Sequence, residues 1–295
     1  MTYPKPLKKG DKIALIAPAG IVCEQKIKQA VGKIRKMGLI PVLGKNVYEK
    51  HGYFAGTDDL RAGDFNRAFS DDRIKGVFCL RGGYGANRIL DKINWDAVKE
   101  NPKVFVGYSD ITALHIAINQ ICGFVTYHGP MAATELLQAD NTTLQSLGRS
   151  IFGKKNSFKL ENPSDTQPVK QLVSGSFSGI ITGGNLSLIT ASLGTKYEIC
   201  TANKILFIEE VSEPVYKIDR MLTQLKNAGK LDEVTGVVLG QFSNVTSTKD
   251  SLTLDQVLEE IFVPIGKPVI CDFACGHQMP TMTIPLGGFC EGGSD

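Results

Sequence analysis

Val104-Phe105-Val106-Gly107-Tyr108-Ser109-Asp110-Ile111-Thr112-Ala113-Leu114-His115-Ile116-Ala117-Ile118 changes its hydrophobic period part-way along. The apolar run Val104 to Val106 reads as a strand, and a helical pattern begins at Asp110. Ser109 therefore stands on a tight strand-to-helix turn, its hydroxyl exposed above the carboxyl end of a sheet. The unpaired N–H groups of the following helix lie beside it, ready to receive an oxyanion. That is how a nucleophile is presented. The hydrolase pattern Gly-x-Ser-x-Gly is nevertheless incomplete, because Ile111 occupies the second glycine position. A Ser or Asp at a helix N-terminus is more often a plain cap, and taken alone the stretch favours the cap.

The same alternation extends on both sides. Short β-rich runs at 13–17, 39–43, 76–80 and 104–106 are each followed by an amphipathic stretch, at 24–37, 58–69, 85–91 and 110–120. This order predicts right-handed βαβ units around a parallel sheet. The first helix shows its period in Ile27, Val31, Ile34 and Met37, with Gly38 as terminator. From 153 to 178 the pattern dissolves into polar and turn residues, read as a linker. Beyond it, strands are expected at 179–182, 205–208, 236–239 and 269–273, and helices at 185–192, 216–225 and 254–262. The expected architecture is α/β in two domains. Residues 1–152 form a Rossmann-like parallel sheet with helices on both faces, and 179–295 form an α/β domain with a mixed sheet.

The chain has 295 residues, 42% hydrophobic and 21% charged, which is ordinary globular composition with room for a sizeable core. Its 33 basic and 30 acidic residues leave a net charge of +3 without a dense basic stripe, which disfavours nucleic acid as a partner. The opening residues lead only into the short run Ile13 to Ala17, closed by Pro18, too short for a signal sequence or a membrane span. A soluble cytoplasmic protein is expected. Seven scattered cysteines without Cys-x-x-Cys spacing suit reduced thiols better than disulfides. Cys271-x-x-x-Cys275-Gly-His277 lacks a second ligand pair at zinc-finger spacing, so a metal is not expected there.

Three polar residues share the context of Ser109, each just past an apolar run: Ser109 itself, Glu209 after Ile205 to Ile208, and His277 after Val269 to Phe273. In open α/β proteins ligands bind at the carboxyl ends of strands. A serine, a histidine and a carboxylate are also what acyl transfer needs: nucleophile, proton carrier, and the group that fixes the histidine tautomer. Bland readings compete. His277 could simply satisfy its loop, His115 faces a helix where packing suffices, and His128 is the rival base. Glu209 and Glu210 at a strand end read as one buried and one solvated carboxylate, and Cys79 and Cys275 read as inert buried thiols. Arg81-Gly82-Gly83-Tyr84-Gly85, between a strand and a helix, meets neither the dinucleotide nor the P-loop pattern. Its glycines permit close backbone approach, so Gly83 N–H and Asp110 N–H are the expected oxyanion donors.

In order along the chain stand Arg-Gly-Gly-Tyr-Gly at 81–85, Gly-Tyr-Ser-Asp at 107–110, His-Gly-Pro at 128–130 and Gly-Gly-Asn at 183–185. Ile-Glu-Glu-Val with Tyr-Lys-Ile-Asp-Arg at 208–220 and Gly-His at 276–277 complete the series. Together, from about Gly10 to Gly287, they resemble the serine LD-carboxypeptidases of bacterial murein recycling, a family that includes the microcin C immunity peptidases. The resemblance implies a two-domain fold with its site between domains and a triad at Ser109, Glu209 and His277. Glu209 is preferred to Glu210 because the family motif places its carboxylate first after the apolar strand. It further implies cleavage of the amide between the L-centre of the diamino acid and the terminal D-alanine of a murein tetrapeptide. Independence of metal and cofactor and a homodimeric state are also implied. Recognition of the free carboxylate calls for a cation, with Arg81 and Arg88 as candidates.

Two other functions compete. An immunity-type peptidase cleaving peptidyl or aminoacyl nucleotides would want an aromatic side chain to stack on a base, and the only tryptophan, Trp95, lies in an expected helix away from the site segments. A non-catalytic binding module with the same cleft would have no need of all three triad residues. The family typically continues past Pro285-Leu286-Gly287 into a final strand, whereas the residues here, Gly-Phe-Cys-Glu-Gly-Gly-Ser-Asp at 288–295, have poor strand propensity. If that strand is missing, stability or a domain edge suffers, although all three triad positions are retained.

Overall fold

The computed structural model describes residues 1–153, 157–164 and 166–294. In chain order the first strands and helices are β1 (Lys12–Ile16), α1 (Glu24–Lys36), β2 (Ile40–Leu43), α2 (Asp58–Ser70), β3 (Ile74–Cys79), α3 (Ala86–Ile89) and α4 (Trp95–Glu100). They are followed by β4 (Val104–Gly107), α5 (Thr112–Ala117), β5 (Thr126–His128), α6 (Glu135–Gln138) and α7 (Asn141–Phe152). Then come β6 (Phe158–Lys159), β7 (Lys170–Val173), β8 (Gly175–Asn185), α8 (Leu186–Ala191), β9 (Lys204–Val211) and α9 (Val215–Asn227). The chain closes with β10 (Gly236–Ser243), α10 (Leu254–Phe262), β11 (Val269–Cys271), β12 (Ile284–Leu286) and β13 (Phe289–Ser294).

Two compact units result, Met1–Lys155 with Thr283–Gly287, and Asn156–Met282 with Gly288–Asp295. The sheet of the first has the order β12-β5-β4-β3-β1-β2, parallel except for β12, which pairs antiparallel with β5. Its inner strands β1, β3, β4 and β5 are largely buried on both faces, as a parallel sheet under helices must be, while the edge strand β2 is partly exposed. Ile13, Leu15, Phe78, Val104 and Val106 join Ile27 and Ile34 of α1, Leu136 of α6 and Leu147 and Ile151 of α7 in one core. Their neighbour Phe105 points the other way, with ring centroids 5.8 Å from Phe65 of α2 and 5.2 Å from His115 of α5.

The second unit has the order β6-β13-β8-β9-β10-β11-β7, with β8, β9, β10 and β11 parallel and the antiparallel strands β13 and β7 flanking them. Helix α10 begins on a capping box, Thr253 with Gln256, and buries Val257, Leu258, Ile261 and Phe262. This is the mixed sheet that the sequence implies.

Two expectations need correcting. The stretch 153–178 is not a plain linker: it contributes β6, β7 and the start of β8, while its residues 154–156 and 165 lie outside the described residues. Strands of two to four residues at sheet edges carry too little alternation to stand out from polar sequence. The division also differs from 152 and 179, since 283–287 return to the first unit as edge strand β12. Pro285 is tolerated there because an edge strand need not donate from every residue.

The tail does form a strand. Register from Phe289 opposite Ile180 to Ser294 opposite Gly175 is continuous, Cys290 is completely buried, and β6 pairs along the other side. Propensity misleads here because the glycines serve close approach. A Cβ on Gly293, whose φ is +75°, would lie 2.1 Å from the Gly175 carbonyl oxygen, and one on Gly292 would lie 3.0 Å from Leu160 Cβ. Gly293→Val is expected to destabilise the protein by roughly 1–3 kcal/mol in urea unfolding. An unchanged midpoint would show that this close approach does not hold β13 against β8.

Candidate active site

In the first unit, β4 ends at Gly107, Tyr108 is extended, and Ser109 adopts φ +60° as it opens a 3₁₀ turn that runs into α5. A left-handed conformation is costly for a serine and persists only where the surroundings impose it. Gly107 allows the sharpness of the turn, since a Cβ there would sit 2.9 Å from Ile111 Cγ2 and 3.2 Å from Cys79 Cβ. The small residue that the elbow needs thus lies on the strand side, and Ile111 in the second glycine position is accommodated. The cap reading fails: the turn has no side-chain cap, and within its unit the Ser109 hydroxyl bonds no described residue.

The 81–85 loop faces this turn. A Cβ on Gly82 would lie 3.2 Å from Ser109 Cβ, 3.3 Å from Ser109 Oγ and 3.3 Å from Asp110 N, so glycine at 82 keeps that space open. Gly83 follows with φ +105°. The two expected oxyanion donors therefore belong to facing segments of one unit. Asp110 is buried, and its Oδ2 accepts from Ala86 N at 2.8 Å. Burial pushes its carboxyl upward, while the backbone donors at Ala86 and Gly85 and the Arg61 charge hold it down.

The cation candidates separate. Arg88 is committed to Asp58, with Nε 3.1 Å and Nη2 2.9 Å from Oδ2, and lies over the Phe54 ring. Arg81 is exposed and donates from Nη1 to the neutral Ile21 carbonyl at 3.1 Å. Trp95 begins α4 and donates to Leu90 O. Two aromatics that the sequence reading missed lie nearer: Tyr84, in the 81–85 loop itself, and Tyr53, with centroids 6.0 Å apart and exposures of 48% and 64%. The signal for Tyr84 was its place in a glycine-rich loop; nothing local marks Tyr53.

In the second unit, Glu209 and Glu210 are consecutive residues of β9 and therefore face opposite sides of the sheet. Both are buried, which corrects the expectation of one solvated carboxylate. Glu210 accepts from Ser187 N at 2.8 Å, Ser187 Oγ at 2.7 Å and Asn185 Nδ2 at 3.1 Å, anchoring the start of α8. Glu209 Oε2 accepts from His277 Nδ1 at 2.8 Å. Burial pushes the Glu209 carboxyl up and the His277 bond opposes the rise. With the proton on Nδ1, Nε2 of His277 is the basic nitrogen.

The His277 loop is fastened by residues that the sequence reading passed over. Gln241 Oε1 accepts from Gln278 N at 2.9 Å, and its Nε2 donates to Pro280 O at 3.2 Å. Thr281 Oγ1 accepts from Gly276 N at 3.2 Å and donates to Gly276 O at 3.1 Å. Gln241 carried the same mark as the other three, a polar side chain just past the apolar run Val237 to Leu239. Of the remaining histidines, His51 is exposed, and His115 and His128 are packed inside. His115 Nε2 donates to Gly107 O at 2.8 Å, and burial pulls its pKa down to about 4. His128 is buried edge-on to Tyr108, with centroids 5.5 Å apart. Burial raises the thiols of Cys79 and Cys275 well above their usual range, so both stay protonated and inert. Among the described residues no group of three or more His, Cys, Asp or Glu could hold a metal, and no helix is long and apolar enough to cross a membrane.

Residues 13–129 match the LD-carboxypeptidase N-terminal domain, and residues 178–291 match the LD-carboxypeptidase C-terminal domain. The chain belongs to the LD-carboxypeptidase family. It is 41% identical to the probable murein peptide carboxypeptidase of Bacillus subtilis (strain 168) over 286 residues, 96% of this chain and 89% of that protein. Among solved structures, the muramoyltetrapeptide carboxypeptidase of Oxalobacter formigenes is similar with a TM-score of 0.83 and 27% identity, over 96% of this chain and 95% of that one. The microcin C7 self immunity protein MccF in its wild-type apo state is similar with a TM-score of 0.87 and 27% identity, over 97% and 94%. The family's two-domain α/β fold is the one described above.

Gln241→Ala, which releases the His277 loop from two hydrogen bonds, is expected to cost about 1–3 kcal/mol in urea unfolding. Wild-type stability in that variant would show that the loop is held by other means.

Proposed function

We propose that this protein is a serine LD-carboxypeptidase. It hydrolyses the amide between the L-centre of the diamino acid and the terminal D-alanine of murein tetrapeptide, with Ser109, His277 and Glu209 as its triad. The observation that carries this reading is the left-handed Ser109 on its strand-to-helix turn, in a chain that also holds a His277 Nδ1 to Glu209 hydrogen bond of 2.8 Å. His277 Nε2 takes the Ser109 proton as Oγ attacks the amide carbon, while Glu209 fixes the ring tautomer and stabilises the imidazolium. The oxyanion is received by the N–H groups of Gly83 and Asp110. Collapse expels the D-alanine amine, protonated by His277, and leaves an acyl-serine. Water, deprotonated by the same nitrogen, then releases the tripeptide. None of these steps calls for a metal or cofactor.

Arg81 is the better candidate for the terminal carboxylate, because the donors of Arg88 are already engaged by Asp58, which Arg61 shares, whereas Arg81 has only the neutral Ile21 carbonyl. A Cβ on Gly83 would lie 3.9 Å from Arg81 Nη2, so the guanidinium flanks the proposed oxyanion donor. The substrate class fits a cytoplasmic enzyme, and the resemblance supports a homodimer, which light scattering would establish. A second reading, an immunity-type peptidase acting on aminoacyl nucleotides, is favoured by the exposed Tyr53 and Tyr84 rings, which offer a stacking face. The 41% identical relative named for murein peptide weighs against it.

The test is release of free D-alanine from L-Ala-γ-D-Glu-diaminopimelyl-D-Ala, with an aminoacyl sulfamoyl nucleotide as the parallel substrate. Ser109→Ala is expected to lower turnover by about 10³-fold or more while binding survives. Full turnover in Ser109→Ala would refute the nucleophile. Cleavage of the nucleotide alone would select the second reading, and binding of either ligand without turnover by the wild type would select the binding module. Arg81→Met is expected to lower kcat/KM by roughly 10- to 100-fold, the loss of one charge-assisted hydrogen bond, mostly through KM. An unchanged KM would remove Arg81 from the carboxylate site.

A further inference from the structure

Arg61, on α2, has a completely buried side chain and is given no part in the chemical steps of the proposed reaction. Its Nη1 donates to the carbonyls of Pro18 and, at 2.8 Å, Gly85, its Nε donates to Gly56 O at 3.3 Å, and its Nη2 pairs with Asp58. Those carbonyls belong to three loops at the carboxyl ends of the first sheet's strands. The loops are also joined by Gly20 N to Gly82 O at 3.0 Å and Ala55 N to Ala19 O at 3.0 Å.

The bond to Gly85 has a counterpart. Gly85 C=O and Ala86 N–H are the two poles of one peptide unit. The carbonyl accepts from the Arg61 guanidinium, and the N–H donates to the Asp110 carboxylate at 2.8 Å. A buried cation and a buried anion thus grip opposite ends of a single peptide dipole, each at the end of complementary charge. Gly85 must be glycine for this, because a Cβ there would lie 2.8 Å from Arg61 Nη1 and its φ is +136°. Asp110 is the residue after Ser109, and Gly85 closes the 81–85 loop, so the gripped peptide is where the nucleophile's turn is fastened to the loop facing it.

We propose that Arg61 and the Asp110 carboxylate are positioning residues which, by holding the Gly85–Ala86 peptide from both ends, set the 81–85 loop and its Gly83 N–H against Ser109. The proposal rests on Ser109 being the nucleophile. Lysine at 61 keeps the charge but cannot spread donors in a fork over Pro18, Gly56 and Gly85. The loop would shift by a fraction of an ångström, enough to misalign attack and oxyanion stabilisation.

The test reads the reactivity of Ser109 without the peptide substrate, as the rate of its covalent labelling by a fluorophosphonate, beside kcat, KM and Tm. Arg61→Lys is expected to label about 10- to 100-fold more slowly, with kcat reduced to match, KM little changed and Tm near that of the wild type. A wild-type labelling rate in folded Arg61→Lys overturns the proposal. If Arg61→Lys does not fold, Asp110→Asn, which keeps the shape of the side chain, is expected to slow labelling likewise, and a wild-type rate there overturns it. The double variant Arg61→Met with Asp110→Asn removes both buried charges together. Recovery of Tm without recovery of labelling supports positioning, and recovery of both in step reduces the pair to charge balance and overturns it. Wild-type protein labelled at Ser109 that releases no D-alanine refutes the substrate reading while the variants' labelling rates still decide the inference. Wild-type protein that is not labelled at Ser109 overturns both.

Discussion

A serine held at φ +60° is the constraint on which the first unit's chemistry depends. Such a conformation is not self-supporting, and every element around it is arranged to impose it. Gly107 lets α5 turn back onto β4, Gly82 leaves the space in front of the hydroxyl, and the Asp110 side chain reaches across to Ala86 instead of capping its own helix. The cost of the turn is met by packing and hydrogen bonds made elsewhere in the unit, which is the ordinary way a strained functional residue is maintained.

The second unit solves a different problem, that of keeping an ionisable carboxyl in a place without water. Glu209 is completely buried, and a carboxylate so placed requires a partner. His277 supplies one, and the loop that brings it is fastened on both sides by Gln241 and Thr281. The pleat of β9 then settles which of two adjacent glutamates can do this. Glu209 faces the histidine loop, and Glu210, on the other side, receives the Ser187 N–H in the first turn of α8. Adjacent identical residues hold different posts because a strand turns successive side chains through half a revolution.

Both units follow the rule that open α/β sheets gather function at the carboxyl ends of their strands. Ser109 follows β4, Glu209 is near the end of β9, and His277 follows β11. The connection is less simple than two successive domains, since the chain returns to the first sheet for β12 before completing the second with β13. The last two strands thus go to different sheets, β12 to the edge of the first and β13 between β6 and β8 in the second.

By itself the sequence determined the βαβ alternation, the strong helices and the three polar residues standing past apolar runs. These are properties of period and punctuation, carried by neighbours a few residues apart. It also carried the family, through motifs spread over almost the whole chain. The tertiary structure alone decided that the tail is a strand, that 158–159 and 170–173 add edges to the second sheet, and that Gln241 and Thr281 hold the histidine loop. It likewise decided that Arg88 is spent on Asp58, and that Asp110 ties one loop to another. The reason is common to all of these. Each depends on a partner distant in sequence, whether a ladder supplied by another strand or a carbonyl on another loop, and no local pattern encodes how near that partner will come.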